Sequence, residues 1–154
     1  MGKFVNATND SIRIENNKTA PDYFMRFDKV DIKTVTDIIT IDNIIVRVRP
    51  KHEKDKDGNY LKDENGKFIV KLDFNKNPVM GAVAFVSFDD NKYFVTTSRP
   101  IINQCKMLDS TVDLKTAGDY TVKDIKGSKV KISSIPQKLN DGKEYEYPVF
   151  IDVE

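Results

Sequence analysis

The chain has 154 residues, enough for one domain with a sizeable core, and 39% of them are hydrophobic against 32% charged. A net charge of +1, from 25 basic and 24 acidic residues, argues against strong nonspecific duplex binding, which needs a clearly basic face. The single cysteine, Cys105, excludes an internal disulfide and points to a reducing, cytoplasmic setting, or to a surface that does without disulfides. No apolar run approaches the roughly 18 residues of a membrane span. The opening MGKFVNATNDSIRIENN has no apolar core of signal-peptide length.

Residues 1–28 read as a polar N-terminal arm, with short strands at Ser11–Glu15 and Tyr23–Phe27. Lys29 to Arg49 is β-branched almost throughout, which resists helix and favours strands, and Asp42-Asn43 reads as a turn between two of them. Arg47 and Arg49 alternate with Val46 and Val48, so both arginines should leave one face. Pro50 ends that strand. The segment KHEKDKDGNYLKDENGK holds two turn signals, Asp57-Gly58 and Asn65-Gly66, and is expected to form a protruding, mobile excursion over 50–67. Lys67–Phe74 alternates as a half-buried strand, with Phe68, Val70, Leu72 and Phe74 on one face. Gly81 marks a bulge or a close backbone approach.

A hairpin follows, Ala82–Phe88 and Lys92–Thr97 around Asp89-Asp90-Asn91. It runs into a helix over about 98–110, with Ser98 as N-cap, Pro100 in the first turn, and Ile101, Cys105 and Leu108 as its apolar stripe. Short strands are expected at Asp119–Ile125 and Ser128–Ile132, split by Lys126-Gly127, then a loop over Pro136–Gly142. The closing strand Tyr145–Val153 alternates Tyr145, Tyr147, Val149, Ile151 and Val153 on one face, and Pro148 suits an edge. No internal repeat is visible. The fold class that follows is mainly β with one short helix, an OB-like small β-barrel over 29–154 in a single domain.

The residues offer little to catalysis. His52 is the only histidine and sits among Lys51, Glu53 and Lys54, where a solvated surface role is expected. Walker A, GxGxxG, HExxH and CxxC motifs are absent, and Asp89-Asp90 reads as turn chemistry. The acidic excursion fails the EF-hand pattern, which puts Gly at its sixth position: counting from Asp55 that place holds Tyr60. The expectation is no enzyme, no metal and no cofactor.

Binding fits better. Single-strand binders combine a cationic groove with aromatic faces on which any base can stack. The hairpin offers Phe88, Tyr93 and Phe94, with Lys92 and Arg99 beside them and Arg47 and Arg49 from the preceding strand. Alternation sends Tyr93 and Phe94 to opposite faces. In the competing arrangement both faces are covered, one by the core and one by the N-terminal arm or a partner chain.

Further on, Val130-Lys131-Ile132, Asp141-Gly142-Lys143 and Tyr145-Glu146-Tyr147 give a basic strand, a Gly-Lys turn and an aromatic strand. From about Asp37 to Glu154 this order resembles the phage-type single-stranded-DNA-binding proteins with an OB fold. It departs from their cellular counterparts in having no Gly-rich linker or acidic tail tip. The resemblance implies a non-catalytic accessory protein of DNA replication, acting in a host cytoplasm and binding single-stranded nucleic acid by stacking and phosphate contacts. Lys131, Lys143 and Tyr145 would join the hairpin residues, and strand edges could pair copies into a homo-oligomer. The alternative is a phage-type protein–protein module, a virion component or an inhibitor of a host enzyme. Near-neutral charge and the mixed charges of Lys51–Lys67 favour it.

Overall fold

The β-branched run after Lys29 builds one long strand that organises the molecule. In the computed structural model, which describes residues 20–153, the elements are α1 (Asp22–Met25), β1 (Asp28–Lys29), a 3-10 turn (Ile32–Thr34), β2 (Ile39–Pro50), β3 (Met80–Phe88), β4 (Lys92–Thr96), α2 (Arg99–Leu108), β5 (Gly118–Thr121), β6 (Lys129–Lys138) and β7 (Glu144–Asp152). The sheet runs β1-β4-β3-β2-β6-β7, and β5 pairs with β2. It curls into a half-barrel within a single small domain, mainly β with one helix of more than a turn or two. That is the OB-like class expected from the sequence.

Asp42-Asn43 does not divide two strands. It forms a bulge inside β2, where the register with β3 shifts between Ile41 and Asn43. The bulge fastens the β3–β4 turn. Asp90 donates its N–H to Asp42 Oδ2 at 2.8 Å, and Thr40 donates its N–H to Asp89 Oδ1 at 3.0 Å. These bonds hold Asp89 and Asp90 at φ of 50° and 67°, a region that asparagine and aspartate tolerate better than most residues.

Register assigns the two faces. Ile44 pairs with Val86 and Val46 with Ala84, and all four are buried in the half-barrel interior with Phe94, Ile101 and Cys105. Burial pushes the Cys105 thiol up to about 12, so it stays protonated and packs as a small apolar group. The opposite parity, with Ile45, Arg47, Val83, Phe85 and Tyr93, faces outward. This outer face is covered by residues 20–28. Tyr23–Phe27 is not the strand expected from its sequence: Asp22–Met25 is one helical turn whose Phe24 is fully buried against Val83, Phe85 and Tyr93. The expected strand at Ser11–Glu15 lies outside the described residues.

The helix α2 closes one end and guards the sheet edge. Ser98 does not cap it by side chain; its hydroxyl donates to the carbonyl of Pro148. Gln104 bonds Phe150 twice, Nε2 to the carbonyl at 2.8 Å and Oε1 from the N–H at 3.0 Å. These side chains occupy backbone groups that an edge strand would otherwise leave open. β7 is indeed the edge that Pro148 implied, but its alternating face is buried only at Val149, which is 8% exposed. Phe150 packs on the core with Ile132, while Tyr145 and Ile151 are exposed. Strand β6 also runs through Pro136 to Lys138, where a loop was expected.

The polar excursion spans 51–79 and includes the segment Lys67–Phe74 expected as a half-buried strand. It contains isolated bridges, not a strand, and Phe74 is 94% exposed. Two closed rings of backbone hydrogen bonds build it. Lys51 donates to Val79, Val79 to Lys71 and Lys71 to Lys51; further out, Glu53 donates to Ile69, Ile69 to Leu61 and Leu61 to Glu53. Three hairpin arms leave these junctions, turning at Asp55–Asn59, Asp63–Lys67 and Asp73–Asn77. In each turn the aspartate Oδ1 accepts two backbone N–H groups, at 2.9 and 3.0 Å. His52, Tyr60 and Phe68 stack edge-on in a triangle with centroids 6.1–6.3 Å apart, so His52 is half-buried among rings and not a solvated surface group. An internal repeat is therefore present: the three rings recur every eight residues, and Asp55 and Gly58 recur as Asp63 and Gly66.

Candidate nucleic-acid interface

The rings expected to stack bases are inside. Phe94 is fully buried, Phe88 is 3% exposed and Tyr93 is 8% exposed. Phe88 and Phe94 point into the half-barrel, with ring centroids 5.7 Å apart. Tyr93 points the other way, as alternation requires, but Phe24 lies on it with centroids 5.7 Å apart and on Phe85 at 5.9 Å. Both faces of the hairpin are thus covered, one by the core and one by the N-terminal segment. None of the three rings offers a free face to a base.

The two arginines do leave one face of β2, and they converge on a carboxylate. Arg47 donates from Nε to Asp119 Oδ1 at 3.0 Å and from Nη2 to Oδ2 at 3.1 Å, and Arg49 Nη2 meets Oδ1 at 3.0 Å. β5 brings Asp119 there by pairing it with Arg47 across the sheet. The Arg47 guanidinium also lies 5.1 Å from the Phe85 ring centre. Partial burial alone would raise the Asp119 carboxyl, but the hydrogen bonds and charges of Arg47 and Arg49 hold it below its ordinary value. Arg47, 7% exposed, is committed to this pair, and Arg49 shares it. Both arginines are thus engaged by Asp119 and are not the open cations expected from the sequence.

The remaining candidates are exposed and scattered. Lys92 opens β4, whereas Lys131, Lys143 and Tyr145 lie along the ribbon formed by β6, β7 and their connecting turn. None of these three lysines has an ion-pair partner among the described residues. Arg99, also unpaired, stands in a groove of about 670 Å³ between the start of β3 and α2. That groove brings in three polar groups that the sequence reading missed: Lys51, Thr97 and Asn103. Met80, Ala82 and Ile102 give it apolar lining. Gly81 carries neither a bulge nor a neighbouring backbone there. A Cβ on it would lie 3.0 Å from Lys51 Cε and 3.3 Å from Lys51 Cγ, so the glycine gives the lysine stem room to fold back over the strand. The signal in the sequence was Lys51 directly after the strand-ending Pro50, with a glycine opening the return strand.

The ten expected residues therefore fall into a core set, a salt-bridge set, a groove, a ribbon and Lys92 by itself at the start of β4, not one continuous site. No helix among the described residues is long and apolar enough to cross a membrane. No family model, no curated protein and no solved structure matches the chain.

Proposed function

We propose that the chain is a non-catalytic accessory protein that binds single-stranded DNA, chiefly through its phosphates. One observation supports this most: Lys92, Arg99, Lys131 and Lys143 are exposed cations without an ion-pair partner among the described residues, although the chain carries nearly as many acids as bases. In OB-type folds the hairpin face and the loops flanking it hold oligonucleotides. Here the hairpin face is covered, so the contact falls to the groove and to the β6–β7 ribbon, with Tyr145 the one exposed ring among the expected residues at 41%. Base stacking by Phe88, Tyr93 and Phe94 is not part of this proposal.

Fluorescence anisotropy of labelled oligo-dT tests it. Binding at low salt should fall as salt rises, with a log–log slope of about −2 to −3 for three or four phosphate contacts. Flat anisotropy at micromolar protein would overturn the reading. The second reading, a protein–protein module, is favoured by Phe74, 94% exposed at the tip of a polar arm. Retention of a defined partner protein that Phe74→Ala abolishes, with no oligonucleotide binding, would favour it.

A further inference from the structure

The groove beside α2 departs from the charge balance of the rest of the chain. Its lining contains two cations, Lys51 and Arg99, and no carboxylate. Among the other grooves, the one lined by Tyr23, Asp42, Asp124 and Lys126 holds two acids and one base, whereas the one lined by Lys33 and Lys131 also lacks a carboxylate but is smaller, about 440 Å³. Lys51 and Arg99 have no ion-pair partner, and Thr97 and Asn103 no side-chain hydrogen bond, among the described residues. Apolar side chains share the lining, Met80 and Ile102 among them. A volume of about 670 Å³ suits a ligand of one nucleotide's size.

We propose that this groove binds a nucleoside 5′-phosphate. A phosphate monoester carries close to two negative charges above its second ionisation near pH ~6, which matches the two unpaired cations. An internal phosphodiester carries only one. The base would lie against the apolar lining of Met80 and Ile102, and Thr97 and Asn103 would meet polar edges of base or sugar. Lys51 reaches the groove because Gly81 leaves its stem room. This deepens the single-strand reading and rests on it only for the source of the phosphate: the 5′-end of a strand, or a free nucleotide.

Calorimetry with dTMP, thymidine and inorganic phosphate tests the site, and anisotropy with 5′-phosphorylated and 5′-hydroxyl oligo-dT tests the source. dTMP should bind at least about tenfold tighter than thymidine or inorganic phosphate, since each lacks one half of the contacts. Arg99→Ala and Lys51→Ala should each weaken dTMP about tenfold, whereas Lys56→Ala, in an exposed turn of the excursion, should leave it unchanged. Gly81→Val, which displaces the Lys51 stem without changing charge, should weaken it as well. Affinity should fall as pH drops below ~6 and the monoester loses a charge. A 5′-phosphate preference of about tenfold in the oligonucleotides identifies the strand end as the source. dTMP binding without any oligonucleotide binding identifies a free nucleotide and removes the single-strand reading while leaving the groove site. No saturation by dTMP up to about 10 mM, or equal affinity in Arg99→Ala, overturns the proposal whatever the oligonucleotides do.

Discussion

Replacing Phe24 by alanine tests how the outer face of the sheet is covered. The ring is fully buried and lies 5.9 Å from Phe85 and 5.7 Å from Tyr93. A buried Phe→Ala change in a core that cannot relax costs about 3–5 kcal/mol. Here the covering element can leave. It is one helical turn without a side-chain cap, followed by two backbone bonds to the edge: Asp28 N–H to Asn91 at 3.0 Å and Val30 N–H to Tyr93 at 2.9 Å. Detachment limits the loss to what docking contributes, roughly the 2–3 kcal/mol of one buried aromatic ring. For a chain of 154 residues that lowers Tm by about 5–10 °C. The chain has no tryptophan and six tyrosines, so with a soluble quencher the increase in tyrosine quenching over the parent protein reads the added exposure of Tyr93 and of Tyr23 on the departing segment. The variant should melt earlier and quench more, and Met25→Ala, at a side chain 65% exposed, should do neither. An unchanged Tm with unchanged quenching would show that Phe24 does not hold this face closed.

Asp119→Ala removes the partner of Arg47 and Arg49. With the carboxylate 36% exposed and solvent screening the pair, the loss should be about 1–2 kcal/mol in chemical denaturation. Because the folded carboxyl sits below its ordinary value, this stabilisation is full above about pH 4 and is lost as pH falls through the folded value; the variant should lack that part of the acid loss. Gly58 has φ of +85° with open space around it, so Gly58→Ala should cost about 1 kcal/mol on conformational grounds alone, read by amide exchange in its arm. Lys76 sits at the equivalent turn position with φ of 64°, so Lys76→Gly should slow exchange in its own arm. Gln104→Ala leaves the N–H and carbonyl of Phe150 without their side-chain partner, for about 1–3 kcal/mol and a concentration-dependent self-association by sedimentation.

The core was legible because its signals are local. Ile44, Val46 and Val48 alternate and are all buried, and of the helical stripe Ile101, Cys105 and Leu108 the first two are buried while Leu108, at the end of α2, is 64% exposed. The candidate site was not legible, for a physical reason. An aromatic residue beside a turn has the same pattern whether its ring meets solvent or another segment. Tyr93 is covered by Phe24, 69 positions earlier, and nothing in the hairpin's own residues encodes that. The same holds for Arg47: alternation sent it outward as expected, but its partner Asp119 arrives on a strand 72 residues away. Cations keep their exposed reading only where no such distant partner reaches them, as at Lys131 and Lys143.

The excursion failed for a different reason. Its composition, rich in Lys, Asp, Asn and Gly, is that of a solvated loop, and it buries no aliphatic core of its own. Order there comes from backbone geometry. Each turn aspartate replaces water on two N–H groups, and each junction closes three segments into a ring of hydrogen bonds that no two-stranded hairpin can form. The repeat that announces this is eight residues long and is carried by one ring, one Asp and one Gly per copy, with the third copy altered to Asp73 and Lys76 and its turn two residues later. Hydrophobic periodicity cannot detect such a unit because its period lies in turn chemistry and not in burial. The lysines fit the same logic: Lys54 lies 4.8 Å from the Tyr60 ring centre and Lys62 lies 4.9 Å from that of Phe68, so two of the charges that made the segment look soluble cover its small aromatic cluster.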